Sequence, residues 1–371
     1  MLFYYDMAVN RVDQNIIFVT ISMTAGGTER VISVLANEAV RKGHHVTIML
    51  IGDDRVEYPL DESIDVVCVS KATGGSLSGR IKRILAMREA IRDSDGGDVI
   101  AMGSSASIFA LLSAFGLKNK VVVSERNDPG RFNHKPISKG MSLVRDHLYR
   151  RAHAIVLQTE DSKAYFSDKV VEKSLVIMNP LPDSIYDLDT SGERDKTVIS
   201  SGRLTVYKGY NNLIDAFAIF AKKHPEYKLK IFGKGELKDE LQQQMDELGL
   251  SDKAFLCGFS DSVYEELIHG GMYVSSSISE GVSNALMEAL TLGIPVIATD
   301  CPVGGSRMCI KDGETGVLVS VGDVDALAEA MCKLAEDKEF REAVCKQAIE
   351  QSRSWSVTNI WGQWESLLAE Q

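Results

Sequence analysis

The chain has 371 residues, 44% of them hydrophobic and 25% charged, with a formal charge of -11. It is too long for one ordinary hydrophobic core and has a soluble globular composition, so two domains are expected. The acidic balance argues against a nucleic-acid partner, because a general binder needs a broadly basic surface to neutralise phosphates.

The start of the chain, Met1-Leu2-Phe3-Tyr4-Tyr5-Asp6, lacks the basic residues and apolar core of a signal peptide. Cys68, Cys257, Cys301, Cys309, Cys332 and Cys345 are scattered, with no C-x-x-C pair and no histidine cluster at metal-ligand spacing. They read as reduced thiols of a cytoplasmic protein, with no metal and no cofactor expected.

Short β-branched runs then alternate with helical patterns, the signature of parallel sheets with crossover helices. The first half predicts strands at Ile16 to Ile21, His45 to Ile51, Val66 to Val69, Val99 to Met102, Val121 to Ser124, Ala154 to Leu157 and Leu175 to Met178. Between the second and fourth strands, the helix Arg80 to Arg92 sets Ile81, Ile84, Leu85 and Ile91 against a strongly basic face. Such a face suits water, and it also suits anionic lipid headgroups that would hold the protein at the cytoplasmic side of a membrane. The uncharged stretch Val99 to Leu117 is just long enough to span a bilayer. Gly103 and the serines at 104, 105, 107 and 113 instead divide it into a strand, a turn and a buried helix.

After Asn179-Pro-Leu-Pro, residues 183–196 are polar and show no apolar period, so they read as a hinge. The strand rhythm restarts at Thr197 to Ser201, Lys228 to Phe232, Ala254 to Leu256, Met272 to Ser275, Pro295 to Ala298 and Gly316 to Val319. The expected domains are residues 1–180 and 181–354. A final helix within 355–371 packs back on the first domain, with Trp355, Ile360, Trp361, Trp364 and Leu367 at helical spacing.

The run Ser275-Ser-Ser-Ile-Ser-Glu280-Gly281-Val282-Ser283-Asn284-Ala-Leu-Met-Glu288 follows a predicted strand, and Ser283 is a good N-cap for the helix beginning there. Glu280 then sits in a loop at a strand's carboxyl end, where open α/β sheets bind ligands. The helix N-terminus offers unpaired N–H groups to a phosphate, and Glu288, about a turn and a half further on, can accept bonds from a vicinal diol.

This E-x₇-E pattern, followed by Gly293-x-Pro295-Val296, resembles the donor-site signature of retaining glycosyltransferase family 4. Ser201-Gly-Arg203 with Lys208-Gly209 is similar to that family's diphosphate clamp, Ile231-Phe-Gly233-Lys-Gly235 to its turn beside the nucleotide, and Asp312-Gly-Glu-Thr-Gly316 to its late D-G-x-x-G turn. With Thr24-Ala-Gly26-Gly27, these motifs agree in order and spacing over most of the chain. The resemblance implies a GT-B fold, two Rossmann-like α/β domains with parallel sheets facing an inter-domain cleft.

It also implies metal-independent, retaining transfer of a hexose or N-acetylhexosamine from a nucleoside diphosphate sugar, by preference a UDP-sugar. The acceptor would be a glycan or lipid-linked chain in cell-surface polysaccharide synthesis. Arg203 and Lys208 would supply fixed cations to the leaving diphosphate, Glu280 would contact the sugar, and Glu288 would hold the ribose. Gly281, Val282, Ser283 and Asn284 would cradle phosphate, while Gly233, Gly235, Cys257 and Gly258 would flank the base. Gly26 and Gly27 would face this site from the first domain, with closure about the hinge needed for catalysis.

Many members place a histidine near the reacting sugar where this chain has Glu125 and Arg126. Glu125 is the candidate to line the site there, and no protein base is obligatory if the leaving phosphate helps to deprotonate the acceptor. The triplets Asp93/Asp95 and Asp187/Asp189 read as solvated acidic turns rather than a divalent-cation site, and His134, His147, His153 and His269 as structural. The rival functions are a nucleotide-sugar epimerase or a sugar phosphorylase on the same scaffold, and a non-catalytic sugar-nucleotide-binding regulatory subunit.

Overall fold

The computed structural model describes residues 14–24, 26–69, 77–94, 96–126, 128–132, 136–260 and 263–369. Met1 to Asp6, Ala25, Asp95, Asn127 and His134 lie outside the described residues. The first seven strands are β1 (Asn15–Thr20), β2 (His45–Leu50), β3 (Asp65–Cys68), β4 (Asp98–Met102), β5 (Val121–Ser124), β6 (Ala154–Leu157) and β7 (Ser174–Val176). Six more follow: β8 (Thr197–Ser201), β9 (Lys228–Phe232), β10 (Ala254–Gly258), β11 (Met272–Ser275), β12 (Val296–Thr299) and β13 (Val317–Val319). Each lies where a β-branched run predicts it, with ends displaced by no more than two residues.

The strands form a seven-stranded sheet of order β3-β2-β1-β4-β5-β6-β7 and a six-stranded sheet of order β10-β9-β8-β11-β12-β13. The pairings run parallel, as in β1 with β2 and β8 with β9. The chain divides into two compact units: Met1–Ser124, Leu143–Ile155 and Glu365–Gln371 form one, and Glu125–Ser142 with Val156–Trp364 form the other.

In the second unit, alternation along each strand covers both faces of the sheet. Val198 and Val274 join a core with Leu213, Phe217 and Phe220 of the helix Tyr210–Lys223 and Met331 of the helix Val324–Glu336. Their neighbours Ile199 and Tyr273 join a second core with Leu286, Met287 and Leu290 of the helix Asn284–Thr291. Burying a side chain such as Phe217 contributes roughly 1.5–3 kcal/mol, and it fixes the helix register on which the following loops depend.

Strand order reverses between β8 and β11. From β8 the chain crosses over to β9 and β10 on one side, and from β11 to β12 and β13 on the other. The chain therefore leaves the two central strands toward opposite edges of the sheet, which makes their carboxyl ends the switch point where open α/β sheets bind ligands.

Two expectations require correction, and the division of Val99 to Leu117 into strand, turn and helix is borne out. The helix Leu77–Asp93 buries Met87 and Ile91, while Ile81 and Leu85 are exposed. At 100° per residue, Ile84, Met87 and Ile91 share the inward face, and Ile81 and Leu85 sit about a quarter-turn away beside Arg88 and Arg92. Residues 183–187 are not an unpatterned polar linker but a 3-10 turn, Asp183–Asp187. Ile185 is buried there and the Tyr186 hydroxyl donates to Ser352 O at 2.7 Å, so two side chains anchor the turn. The stretch Val99 to Leu117 contains the end of β4, Gly103 at φ 88° and the helix Ser104–Ser113. Among the described residues, no helix is long and apolar enough to cross a membrane.

At the C-terminus, the turn Arg353–Trp355 and the helix Val357–Ala369 bury Trp355, Ile360, Trp361, Trp364 and Leu367. Lys120 Nζ donates to Leu368 O at 2.9 Å.

Candidate functional site

The site grows from the loop after β8. Ser201 ends the strand, Gly202 N donates to Phe232 O at 2.9 Å, and Leu204 N donates to Lys234 O at 2.9 Å. This loop is thereby stitched to the turn after β9, which bonds on to β10 through Gly233 N and Gly258 O at 2.7 Å. The backbones approach so closely that a Cβ on Gly233 would lie 1.9 Å from Gly202 O, and one on Gly235 would lie 2.3 Å from Leu204 O. No larger residue fits at either position without parting the loops.

On the other side, Gly209 joins this loop to the one after β11. Its φ of 59° is left-handed, and a Cβ there would lie 2.3 Å from Ser276 O. Ser276 Oγ donates to Lys208 O at 2.9 Å, and Ile278 N donates to Tyr207 O at 2.8 Å. Lys208 therefore projects beside the loop that carries Glu280.

The two side chains pair, with Lys208 Nζ 2.5 Å from Glu280 Oε1. Glu280 Oε2 accepts from Ser277 Oγ at 2.7 Å, and its backbone is pinned by Glu280 N to Pro302 O at 2.9 Å and Val303 N to Glu280 O at 3.2 Å. Arg203 is exposed and its guanidinium has no partner among the described residues. One cation is thus held against a carboxylate, and a second stands free five residues earlier on the same loop.

Ser283 caps the helix Asn284–Thr291 as expected, its Oγ accepting from Leu286 N at 3.5 Å. Glu288 lies buried on this helix. Burial pushes the Tyr273 phenol well up, and the charges of Glu280 and Glu288 add to that shift, which places both carboxylates near the end of β11.

Arg203, Lys208, Glu280, the segment Gly281 to Asn284, Glu288, Gly233, Gly235, Cys257 and Gly258 all belong to the second unit, on the carboxyl-end loops of adjacent strands or, for Glu288, on the helix that follows one of them. Cys257 is exposed at the end of β10. Glu125, buried directly after β5, falls in the same unit, with its N–H donating to Val156 O at 2.9 Å. Gly26 and Gly27 belong to the other unit. There Gly26, in extended backbone, precedes the helix Gly27–Arg41 and bonds the Tyr58 hydroxyl through both its N–H and its carbonyl.

Three residues that the motifs do not mark, Asp128, Gln158 and Asn179, meet this loop from segments outside it, and Arg126 joins them through Asn179. Ser279 Oγ donates to Asp128 Oδ2 at 2.7 Å. Gln158 and Asn179 bond Val282 at 3.4 and 3.1 Å, and Asn179 also bonds the Arg126 guanidinium at 2.8 Å. The dipeptide Asn179-Pro suggested only a hinge.

Asp189 accepts from the N–H and hydroxyl of Ser191 and so forms an ordinary acidic turn. Among the described residues, the grouping able to hold a metal is His224, Cys332 and Glu336, which contains no residue of this site.

A parallel α/β sheet with two basic side chains, two carboxylates and a capped helix N-terminus at its switch point has the features that suit a phosphate-bearing ligand. Two family models divide the chain: Glycosyl transferase 4-like domain matches residues 26–182, and Glycosyl transferases group 1 matches residues 189–351. The chain belongs to this glycosyltransferase family, the one its motifs resemble. It is 26% identical over 360 residues to the Campylobacter jejuni GalNAc-alpha-(1->4)-GalNAc-alpha-(1->3)-diNAcBac-PP-undecaprenol alpha-1,4-N-acetyl-D-galactosaminyltransferase, covering 95% of this chain and 98% of that protein. It is 24% identical over 357 residues to the amylovoran biosynthesis glycosyltransferase AmsD of Erwinia amylovora, covering 93% and 96%. HepE of Anabaena, solved with UDP and glucose, aligns with a TM-score of 0.80 at 19% identity over 96% of this chain and 99% of that one. The shared architecture is GT-B.

Proposed function

We propose that the protein transfers a hexose or N-acetylhexosamine from a UDP-sugar, with retention at the anomeric carbon and without a metal ion, to a glycan or lipid-linked acceptor in cell-surface polysaccharide synthesis. The observation that carries this reading is the meeting of Arg203, the Lys208–Glu280 pair and the Ser283-capped helix at the β8/β11 switch point. The UDP bound to HepE and the undecaprenol-linked acceptor named for the Campylobacter jejuni relative support the choice of donor and acceptor.

Breaking the anomeric C–O bond leaves its electron pair on the departing diphosphate, and fixed cations stabilise that charge without reorganising. Arg203 and Lys208 are assigned this task. The acceptor oxygen forms its bond on the same face, and its proton passes to the leaving phosphate. Glu280 orients the sugar and Glu288 the ribose, so neither acts as the acid or base of a hydrolase pair. Gly281 to Asn284 cradle phosphate, Gly233, Gly235, Cys257 and Gly258 flank the base, and Glu125 is assigned to the reacting sugar. Gly26 and Gly27 are assigned to the donor by resemblance alone.

Membrane contact belongs to the same proposal. Ile81 and Leu85 are exposed beside Arg88, whose Nη1 donates to Ser113 O at 3.0 Å and Phe115 O at 2.6 Å. Phe115 is 62% exposed, with Arg151 Cζ 5.0 Å from its ring centroid. Apolar side chains ringed by arginines suit the anionic headgroup layer. Sedimentation with phosphatidylglycerol vesicles at low salt should carry the protein down, and its staying in the supernatant would remove this part.

The donor is tested by thermal shift with UDP-, GDP- and ADP-sugars in EDTA, since a ligand of the folded state raises the melting temperature. UDP-sugars should give the largest rise and activity should survive EDTA. Strict Mn²⁺ dependence, an inverted product, or epimerisation of donor supplied alone would each contradict the reading.

A further inference from the structure

Arg126 is 6% exposed, and among the described residues only its Nη1 finds a partner, Asn179 Oδ1 at 2.8 Å. Nε and Nη2 are buried without partners among the described residues. These two N–H groups form the edge of a guanidinium that normally grips a carboxylate or phosphate in bidentate fashion. Burial pushes the group down to about 9, and at neutral pH it remains a buried cation with no counter-charge among the described residues. The Trp364 ring, with its centroid 5.7 Å from Cζ, gives only weak compensation. Retaining such a group is costly, and its position shows what it does.

Asn179 Oδ1 accepts from Arg126 and also from Gln158 Nε2 at 2.7 Å, which uses both lone pairs. Its Nδ2 donates to Val282 O at 3.1 Å and to Asn284 Oδ1 at 2.6 Å. Gln158 Oε1 accepts from Val282 N at 3.4 Å and lies 2.3 Å from where a Cβ on Gly281 would stand. Both polar groups of Val282 are thus tied to one network. Two donors converge on Asn179 Oδ1, so the amide cannot flip, and its NH₂ must face the loop.

We propose that Arg126 is a positioning residue of the donor site: through Asn179 it fixes Gly281 to Asn284 in shape, and its unpaired charge adds positive potential behind the helix that starts at Asn284. The inference rests on the phosphate-cradle role proposed for that segment. It also explains why no carboxylate among the described residues pairs with Arg126, because an internal counter-ion would cancel the potential.

The test compares Arg126→Met, Arg126→Lys and Asn179→Asp with wild type in the full chain. The readouts are melting temperature, hydrogen exchange across 279–286 and UDP affinity by calorimetry. Arg126→Met should melt at or above the wild-type temperature, because an uncompensated buried charge is gone, yet it should exchange faster in 279–286 and bind UDP at least about tenfold more weakly. Asn179→Asp pairs the guanidinium but loses both donors to the loop, so it should show the same split between stability and affinity. Arg126→Lys should recover part of the affinity. If Arg126→Met does not fold, the isosteric Asn179→Asp decides alone. Unchanged exchange and UDP affinity within twofold of wild type in folded variants would overturn the proposal, as would losses that track a fall in melting temperature. Failure of the wild type itself to bind UDP counts against the donor reading, whereas the exchange data still decide whether Arg126 holds the loop.

Discussion

Because Lys208 is held by Glu280, removing the carboxylate's charge should strengthen the binding of free UDP while it weakens transfer. In Glu280→Gln the amide keeps the size of the side chain and can still accept from Ser277, but Lys208 is released to the diphosphate and a negative charge leaves its vicinity. Exposed ion pairs contribute about 0.2–1 kcal/mol, and breaking fully buried ones costs about 3–5 kcal/mol. The two side chains are 20% and 22% exposed, between these limits. A value of about 1.5 kcal/mol is reasonable there, which corresponds to UDP binding about tenfold more tightly. Calorimetry with UDP at low salt measures this directly, and the advantage should shrink as salt screens the site. Lys208→Ala should act the other way, weakening UDP, and the double variant should lie between the two. Turnover of Glu280→Gln should fall about a hundredfold if Glu280 orients the sugar in the transition state. Equal or weaker UDP binding by a folded Glu280→Gln protein would refute the argument, since the pair would then not compete with phosphate for Lys208.

Gly209→Ala imposes a left-handed conformation that costs about 1–2 kcal/mol, and it drives the new methyl to within 2.3 Å of Ser276 O. The melting temperature should drop and the thermal response to UDP should vanish; a variant with wild-type melting and response contradicts this. Gly233→Ala, whose methyl would meet Gly202 O at 1.9 Å, should part the Arg203 loop from its neighbour and abolish UDP binding in a titration. Burial, the largest influence on Asp98, raises its carboxyl above the ordinary range, and Lys120 and His153 oppose this only in part. An acid whose folded-state pKa is raised carries no penalty below its unfolded value and an increasing one as pH rises through the folded value. Asp98→Asn should therefore melt above wild type at pH 7, with the advantage gone near the ordinary carboxylate pKa of about 4. A less stable variant at pH 7 would show that Asp98 is held by its partners instead.

The sheets were legible because their signal is local: a run such as Val121 to Ser124 needs only β-branched residues and a neighbouring helical pattern to be placed. The Glu280 loop was legible for a related reason, as a strand end, a Ser cap and two glutamates lie within fourteen residues of one another. Orientation about a helix axis was harder. Ile81 and Leu85 match an apolar stripe as well as Met87 does, and only the packing partner decides which face turns inward. Of the support behind the loop only Arg126 stands out in the sequence, as Glu125's neighbour where family members carry a histidine. Arg126, Gln158 and Asn179 are separated by 32 and 21 residues, and the last two are unremarkable polar residues after a strand and in a presumed linker. What unites them is that β5, β6 and β7 end side by side, so the residues that follow meet although nothing in their spacing requires it. A motif marks residues that share one loop, whereas a network drawn from three loops becomes visible only once the strand order is known. Arg126 is the sharper case: it stands with Glu125 where family members carry a histidine, and its buried Nε and Nη2, without partners among the described residues, are the groups whose chemistry the fold leaves most open to test.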